Sequence, residues 1–122
     1  MMDELSQERI ARNDATFRSA NERIAESAVE YEMGERIPFI CECADPDCTQ
    51  IVQLSLHEYE AVRENSRHFL NVPGHEVAGG PVVQVVADKE DYVVVEKLAH
   101  AGEVAERLDE RNSEESDEQR TG

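Results

Sequence analysis

Three cysteines lie close together between positions 41 and 48, at Cys41, Cys43 and Cys48. Cysteine thiolates bind zinc, whereas a secreted disulfide scaffold usually has an even number of cysteines spread along the chain. Residues two apart on an extended strand project from the same face, so Cys41 and Cys43 can point to one place. The turn-forming residues 44–47 can return Cys48 to that place. The spacing therefore predicts a site with three sulfur ligands.

Tetrahedral zinc needs a fourth ligand, and the chain contains four histidines. His75 is the best candidate because it follows a sharp turn predicted at residues 73–74. His57 falls in the first turn of a predicted helix, His68 is a weaker choice, and His100 lies near the carboxyl-terminal end of the chain. The sequence predicts a zinc site with the ligands Cys41, Cys43, Cys48 and His75.

Other uses of the cysteines stay open at this point. Unliganded cysteine is also a common small buried side chain, and the thiols could instead cycle through a reversible disulfide. An iron–sulfur cluster is less favoured because it generally needs four cysteines. A thiol-based redox switch or a cysteine-dependent enzyme that uses Cys41, Cys43 or Cys48 is therefore the alternative function.

Catalysis by one of these thiols is the weaker interpretation. Cys48 or Cys43 with His75 and Glu76 could be drawn as nucleophile, base and orienting group. A nucleophilic thiolate needs electropositive surroundings, however, and acidic residues flank these cysteines at positions 42, 45 and 47. The sequence also lacks a glycine-rich phosphate loop and a Gly-x-Ser-x-Gly turn. We expect a protein that is not an enzyme.

The charge of the chain limits its partners. It has 12 Lys and Arg residues against 28 Asp and Glu residues, a formal net charge of −16. Such a surface repels phosphates and anionic lipid, so direct binding of nucleic acid or membranes is not expected, whereas a basic protein fits. No apolar run approaches the ~20 residues that span a bilayer, and the amino-terminal residues 1–14 lack the apolar centre of a secretory signal. We expect a cytoplasmic location.

The amino-terminal residues 3–33 predict one long helix that ends before Gly34. Ile10, Phe17 and Ile24 recur at intervals of seven and form a narrow apolar stripe. A stripe of this kind suits a helix that lies along another helix. It predicts self-association or a protein partner that docks on Ile10, Phe17 and Ile24, and the alternative is a helix that folds back on its own domain.

The remainder of the chain predicts an α+β fold with a small, mainly antiparallel sheet. Strands are expected at 37–43, 50–54, 82–86 and 92–96, with a loop at 69–76. A capping box at Ser55 and Glu58 predicts a packed helix to residue 65, and a short helix is expected at 102–108. The predicted organisation is an amphipathic helix (1–34), a compact α+β domain with the cysteine cluster (35–108) and a disordered acidic tail (109–122).

Several short motifs resemble those of a group of small bacterial proteins. The similarity extends over roughly residues 17–108 and does not imply any particular activity. It implies that the three cysteines and His75 belong to one shared motif. The matching motifs are Pro38-Phe39-Ile40-Cys41-Glu42-Cys43, Cys48, Leu54-Ser55 with Glu58-Tyr59 and Val62-Arg63, Arg67-His68-Phe69, Pro73-Gly74-His75-Glu76 and Tyr92-Val93-Val94-Val95-Glu96-Lys97.

Overall fold

A computed structural model describes residues 2–111 of the protein and confirms the α+β class. A 3₁₀ segment at His75–Val82 joins the third strand to the fourth. The helices and strands are, in chain order, α1 (Glu4–Glu30), β1 (Ile37–Ile40), β2 (Ile51–Leu54), α2 (Leu56–Arg63), β3 (His68–Asn71), β4 (Val83–Asp88), β5 (Val93–Lys97) and α3 (Ala99–Arg107).

The strands form two antiparallel sheets. β1 pairs with β2, and the larger sheet has the order β3–β5–β4 with β5 at its centre. The chain beyond β1 connects the two sheets, because the amide of Glu42 donates to the carbonyl of Leu70 in β3 at 2.8 Å. The segment that carries two of the cysteines therefore runs between both sheets.

The strand β3 is absent from the sequence prediction, which assigned residues 69–76 to a loop. β3 is only four residues long, and Phe69, Leu70 and Asn71 are all buried. A short strand that is covered on both faces has no alternation of polar and apolar side chains, so periodicity does not reveal it. The first predicted strand, 37–43, is also too long, since β1 ends at Ile40.

The buried face of α1 is displaced by one helical row from the predicted stripe. Ile10, Phe17 and Ile24 are only half-buried, and they border a row that is largely polar. α1 packs along α3 and β1. The buried row repeats at alternating steps of four and three residues: Gln7, Ala11, Asp14, Arg18, Asn21, Ala25 and Ala28.

The main apolar core lies between α1, the small sheet and α2. Phe39 and Tyr59 stack face to face in it, with ring centroids 4.3 Å apart and an interplanar angle of 6°. The predicted capping box is confirmed: the Ser55 hydroxyl accepts from the Glu58 amide, and the Glu58 carboxylate accepts from the Ser55 amide. These contacts orient α2 so that Tyr59 reaches α1.

Charged side chains are buried where α1 meets α2 and the end of the described chain. Arg63 donates to Asp109 and Glu22, and Arg111 donates to Glu22. Asp109 is 2% exposed, although the sequence assigned it to the acidic tail. The division into three segments remains a prediction, because residues 112–122 lie outside the described part of the chain.

No helix within residues 2–111 is long and apolar enough to cross a membrane.

Candidate metal centre

One atom from each of four side chains converges at the end of the small sheet. The sulfurs of Cys41, Cys43 and Cys48 and a ring nitrogen of His75 all lie within 4.8 Å of one another. The Nδ1 atom of His75 is 3.6 Å from the Cys41 sulfur and 3.5 Å from the Cys48 sulfur. These four residues are the predicted ligand set, and their arrangement is compatible with a bound metal ion.

The two distances from the His75 ring to the sulfurs of Cys41 and Cys48 agree with an edge of a zinc tetrahedron. With Zn–S at about 2.3 Å and Zn–N at about 2.05 Å, tetrahedral angles place sulfur and nitrogen about 3.6 Å apart. The two measured distances, 3.5 and 3.6 Å, match this edge. The geometry therefore admits a four-coordinate ion without rearrangement of His75 relative to Cys41 and Cys48.

Backbone hydrogen bonds bring the cysteines together. The amide of Cys41 donates to the carbonyl of Gln50 at 3.0 Å, which continues the pairing of β1 with β2 by one step. Asp45 closes the intervening turn: its carboxylate accepts from the amide of Asp47, and its carbonyl accepts from the amide of Cys48. Asp45 thus makes the tight turn that returns Cys48 to the other two sulfurs, as the turn residues predict.

The turn before His75 is set by Gly74. Its φ of +94° lies in the left-handed region that disfavours residues with a Cβ. The amide of His75 donates to the carbonyl of Val72 at 2.9 Å, and the amide of Gly74 donates to the carboxylate of Glu76 at 2.8 Å. These bonds point the His75 ring towards the sulfurs and leave Glu76 in a structural role.

The thiols lie in surroundings that disfavour unpaired negative charge. Burial raises the pKa of the Cys41 thiol well above its usual value; the amide of Val72, 3.2 Å from the sulfur, opposes this, and the neighbouring thiols add to it. Burial also raises the pKa of Cys43. Both cysteines are fully buried, while Cys48 is half-buried. A bound cation would supply the positive charge that thiolates require here.

The other three histidines lie away from this cluster. His57 is exposed in the first turn of α2. His68 contacts the carboxylate of Glu96 at 3.0 Å across the β3–β5 pair, and His100 lies 3.6 Å from Glu103 on α3. Among the histidines, the cluster of four includes His75 alone.

Two side chains of α1 that the sequence did not indicate support the cluster. Asn21 is fully buried and bonds to both the amide and the carbonyl of Ile40 and to Glu42. Asn13 donates to the carbonyl of Cys43 at 2.9 Å. The available signal was the eight-residue spacing of two asparagines on one helix, which is uninformative until the helix is placed against the cysteines.

The chain matches no protein-family model, no curated protein and no solved structure. Since a fold class does not determine an activity, the function has to follow from the chemistry of the site.

Proposed function

We propose that the protein is a small, zinc-stabilised interaction module in which Cys41, Cys43, Cys48 and His75 bind one zinc ion. The observation that carries the proposal is the convergence of three sulfurs and one imidazole nitrogen within 4.8 Å. Thiolate and imidazole ligands in tetrahedral geometry favour zinc over hard cations such as Mg²⁺ and Ca²⁺, which prefer oxygen.

The number of protein ligands supports a structural role for the ion. Catalytic zinc keeps one coordination position open for water or substrate, whereas structural zinc is closed by four protein ligands. Here four side chains come from residues up to 34 positions apart, Cys41 to His75. One ion would therefore tie the 41–48 turn to the loop after β3 and replace part of the apolar core that a domain of this size lacks.

The role of an interaction module rests on the surface of α1 and on the charge of the chain. Phe17 is half-buried, and two apolar side chains near the end of α1, Val29 and Tyr31, are 64% and 71% exposed. Ile10 and Ile24 pack against apolar clusters of their own domain and add only their remaining exposed area. Apolar area on an otherwise acidic chain suits a second copy of the protein or a basic partner protein.

Metal analysis and thermal melts of protein purified without an affinity tag, under reducing conditions, test the proposal. We expect about one zinc per chain and a fall in the melting temperature of roughly 10 °C or more after chelation, because binding energy contributes to folding. Cys48→Ser and His75→Ala should each lower zinc affinity at least tenfold. His57→Ala, which removes an exposed histidine outside the cluster, is the matched control and should leave the affinity unchanged.

Two outcomes would count against the zinc site or in favour of the alternative function. Metal-free protein with three titratable thiols and a melt that chelator does not alter would reject the zinc site. Reversible formation of a disulfide by mild oxidant in such a protein would instead support the thiol-based switch.

A further inference from the structure

The ligand segment that carries Cys41 and Cys43 is held on its other side by α1. The amide group of Asn21 accepts from the backbone amide of Ile40 at 2.8 Å and donates to the carbonyl of Ile40 at 2.8 Å. Its second amide hydrogen goes to the carboxylate of Glu42 at 2.8 Å. Asn21 thus uses both of its amide hydrogens and its carbonyl oxygen on the residues immediately before and after Cys41.

A second asparagine binds the other end of the same segment. Asn13, two helical turns before Asn21, donates to the carbonyl of Cys43 at 2.9 Å. The two asparagines therefore fix the backbone on both sides of the pair of ligands, and they do so from one rigid helix.

Glu42, between the two cysteines, ties the segment to the larger sheet. Its carboxylate accepts from the amide of Leu70 at 3.0 Å, and its own amide donates to the carbonyl of Leu70 at 2.8 Å. Successive side chains of an extended segment point to opposite sides. Glu42 accordingly faces α1 and β3, while the sulfurs of its two neighbours face His75.

We propose that Asn13 and Asn21 are positioning residues of the metal centre, so that zinc binding and the docking of α1 on the domain are energetically coupled. This inference rests on the proposed zinc site. Neither asparagine is one of the four proposed ligands. They act by holding the Cys41 and Cys43 backbone in the geometry that brings both sulfurs to His75, as groups beyond the ligands do at other metal sites.

The coupling has to operate in both directions. If docked α1 orders the ligands, bound zinc must stabilise the docking of α1 by the same free energy. The docked face of α1 is rich in polar side chains, including Asp14 and Arg18, so its position depends on directional bonds more than on apolar area. Metal loss should therefore release α1 before the β3–β5 sheet opens.

Zinc affinity, measured by competition with a chromophoric chelator, tests the role of the two asparagines. We expect Asn21→Ala to weaken zinc binding about tenfold or more, and Asn13→Ala to weaken it less because a single bond is lost. Gln7→Ala is the matched control. Gln7 is a buried amide on the same face of α1, but it bonds to the amide of Ala101 and the carbonyl of Met2, far from the cluster in the chain.

Hydrogen exchange detected by mass spectrometry tests the reciprocal effect on the wild-type protein. Chelation should raise the exchange rate of residues 4–30 at least tenfold more than that of β5 (Val93–Lys97). Unchanged zinc affinity in both asparagine variants, or an equal loss in Gln7→Ala, would overturn the positioning role. Uniform exchange across α1 and β5 after chelation would overturn the selective release of α1.

The failure of this inference is distinguishable from that of the zinc site. Wild-type protein that binds no zinc rejects the proposed function itself. If the wild-type protein binds zinc and the Asn13→Ala and Asn21→Ala variants bind it equally tightly, the proposed function stands and the coupling is rejected. If Asn21→Ala does not fold, Asn13→Ala with its one lost hydrogen bond decides the question.

Discussion

Replacing Arg63 by methionine should destabilise the protein strongly, although Arg63 lies outside the metal centre. Its side chain is fully buried between α1 and the end of the described chain. It donates two hydrogen bonds to Asp109, at 2.5 and 3.1 Å, and one to Glu22 at 3.3 Å. Methionine fills a similar volume without the charge, so the substitution isolates the ion pairs from the packing.

The expected loss of stability depends on the hydrogen-bond donors that Glu22 and Asp109 each retain when Arg63 is replaced. Glu22 retains Tyr59 and Arg111 as hydrogen-bond donors, at 2.7 Å from the tyrosine hydroxyl and 2.6 and 3.1 Å from the guanidinium. Within the described residues, Asp109 keeps the backbone amide of Arg111 as its hydrogen-bond donor, and its side chain is buried, at 2% exposed in the wild-type protein. Two charge-assisted bonds of about 1.5 kcal/mol each are lost at Asp109, so the free energy of unfolding should fall by about 3 kcal/mol.

Urea denaturation of the protein under reducing conditions measures this difference. Arg107→Met is the matched control, because Arg107 is 59% exposed and lies 3.8 Å from Glu8, and exposed pairs contribute less than ~1 kcal/mol. The double variant Arg63→Met with Asp109→Leu should recover much of the loss, since it removes both partners of the buried pair.

A loss below about 1 kcal/mol in Arg63→Met, equal to that of Arg107→Met, would refute this reasoning. So would a double variant whose loss equals the sum of its two single losses, because residues that form one buried pair must show a coupling energy.

Two further predictions concern pH and association. Burial would raise the pKa of Glu22, but hydrogen bonds from Arg111 and Tyr59 and the charge of Arg63 outweigh it and lower the pKa to about 2. A lowered folded-state pKa gives stability that is fully present above the ordinary value of 4.5 and is lost as the pH falls from there towards the folded-state pKa. The difference in unfolding free energy between wild type and Glu22→Gln should therefore shrink by up to about 1 kcal/mol from pH 6 to pH 4 in urea titrations. A constant difference would contradict this. If α1 mediates self-association, sedimentation should show association that strengthens with salt, because screening weakens the repulsion between acidic chains, and Phe17→Glu should abolish it. A monomer at every salt concentration would exclude self-association and leave another protein as the partner.

The cluster of three cysteines and His75 could be predicted from the sequence in large part because it depends on local chemistry. Cys41 and Cys43 are two residues apart on an extended segment, and turn residues separate them from Cys48. His75 could be selected because it follows a sharp turn at Gly74, which the sequence also shows, but its approach to the sulfurs depends as well on β3, whose Leu70 pairs with Glu42 and which the sequence did not indicate. The capping box of α2 could be predicted for the same reason, since all of its bonds join residues three apart.

The placement of α1 could not be predicted from its apolar stripe. Periodicity assigns the buried face to apolar residues, whereas this helix buries Asp14, Arg18 and Asn21 and leaves Phe17 half-buried. Each of these polar residues has a partner far away in the sequence. Asp14 contacts the ammonium of Lys97, and Arg18 donates to the carbonyls of Ser66 and Ala105. A buried polar face is therefore recognisable only after the partners are in place.

The polar face also explains how α1 keeps a single register on the rest of the domain. Apolar contacts alone specify the register of α1 only weakly, because the apolar members of its buried row are the small side chains Ala11, Ala25 and Ala28. A slide of α1 would leave the Asp14 carboxylate and the Asn21 amide buried without partners, and each such group is costly in the interior. The register of α1 is thus specified by hydrogen bonds, and Asn21 makes its bonds to the segment that carries two of the proposed zinc ligands. A metal ion that orders this segment would therefore also order α1, so that metal binding by the cysteines and the docking of the helix would be energetically coupled.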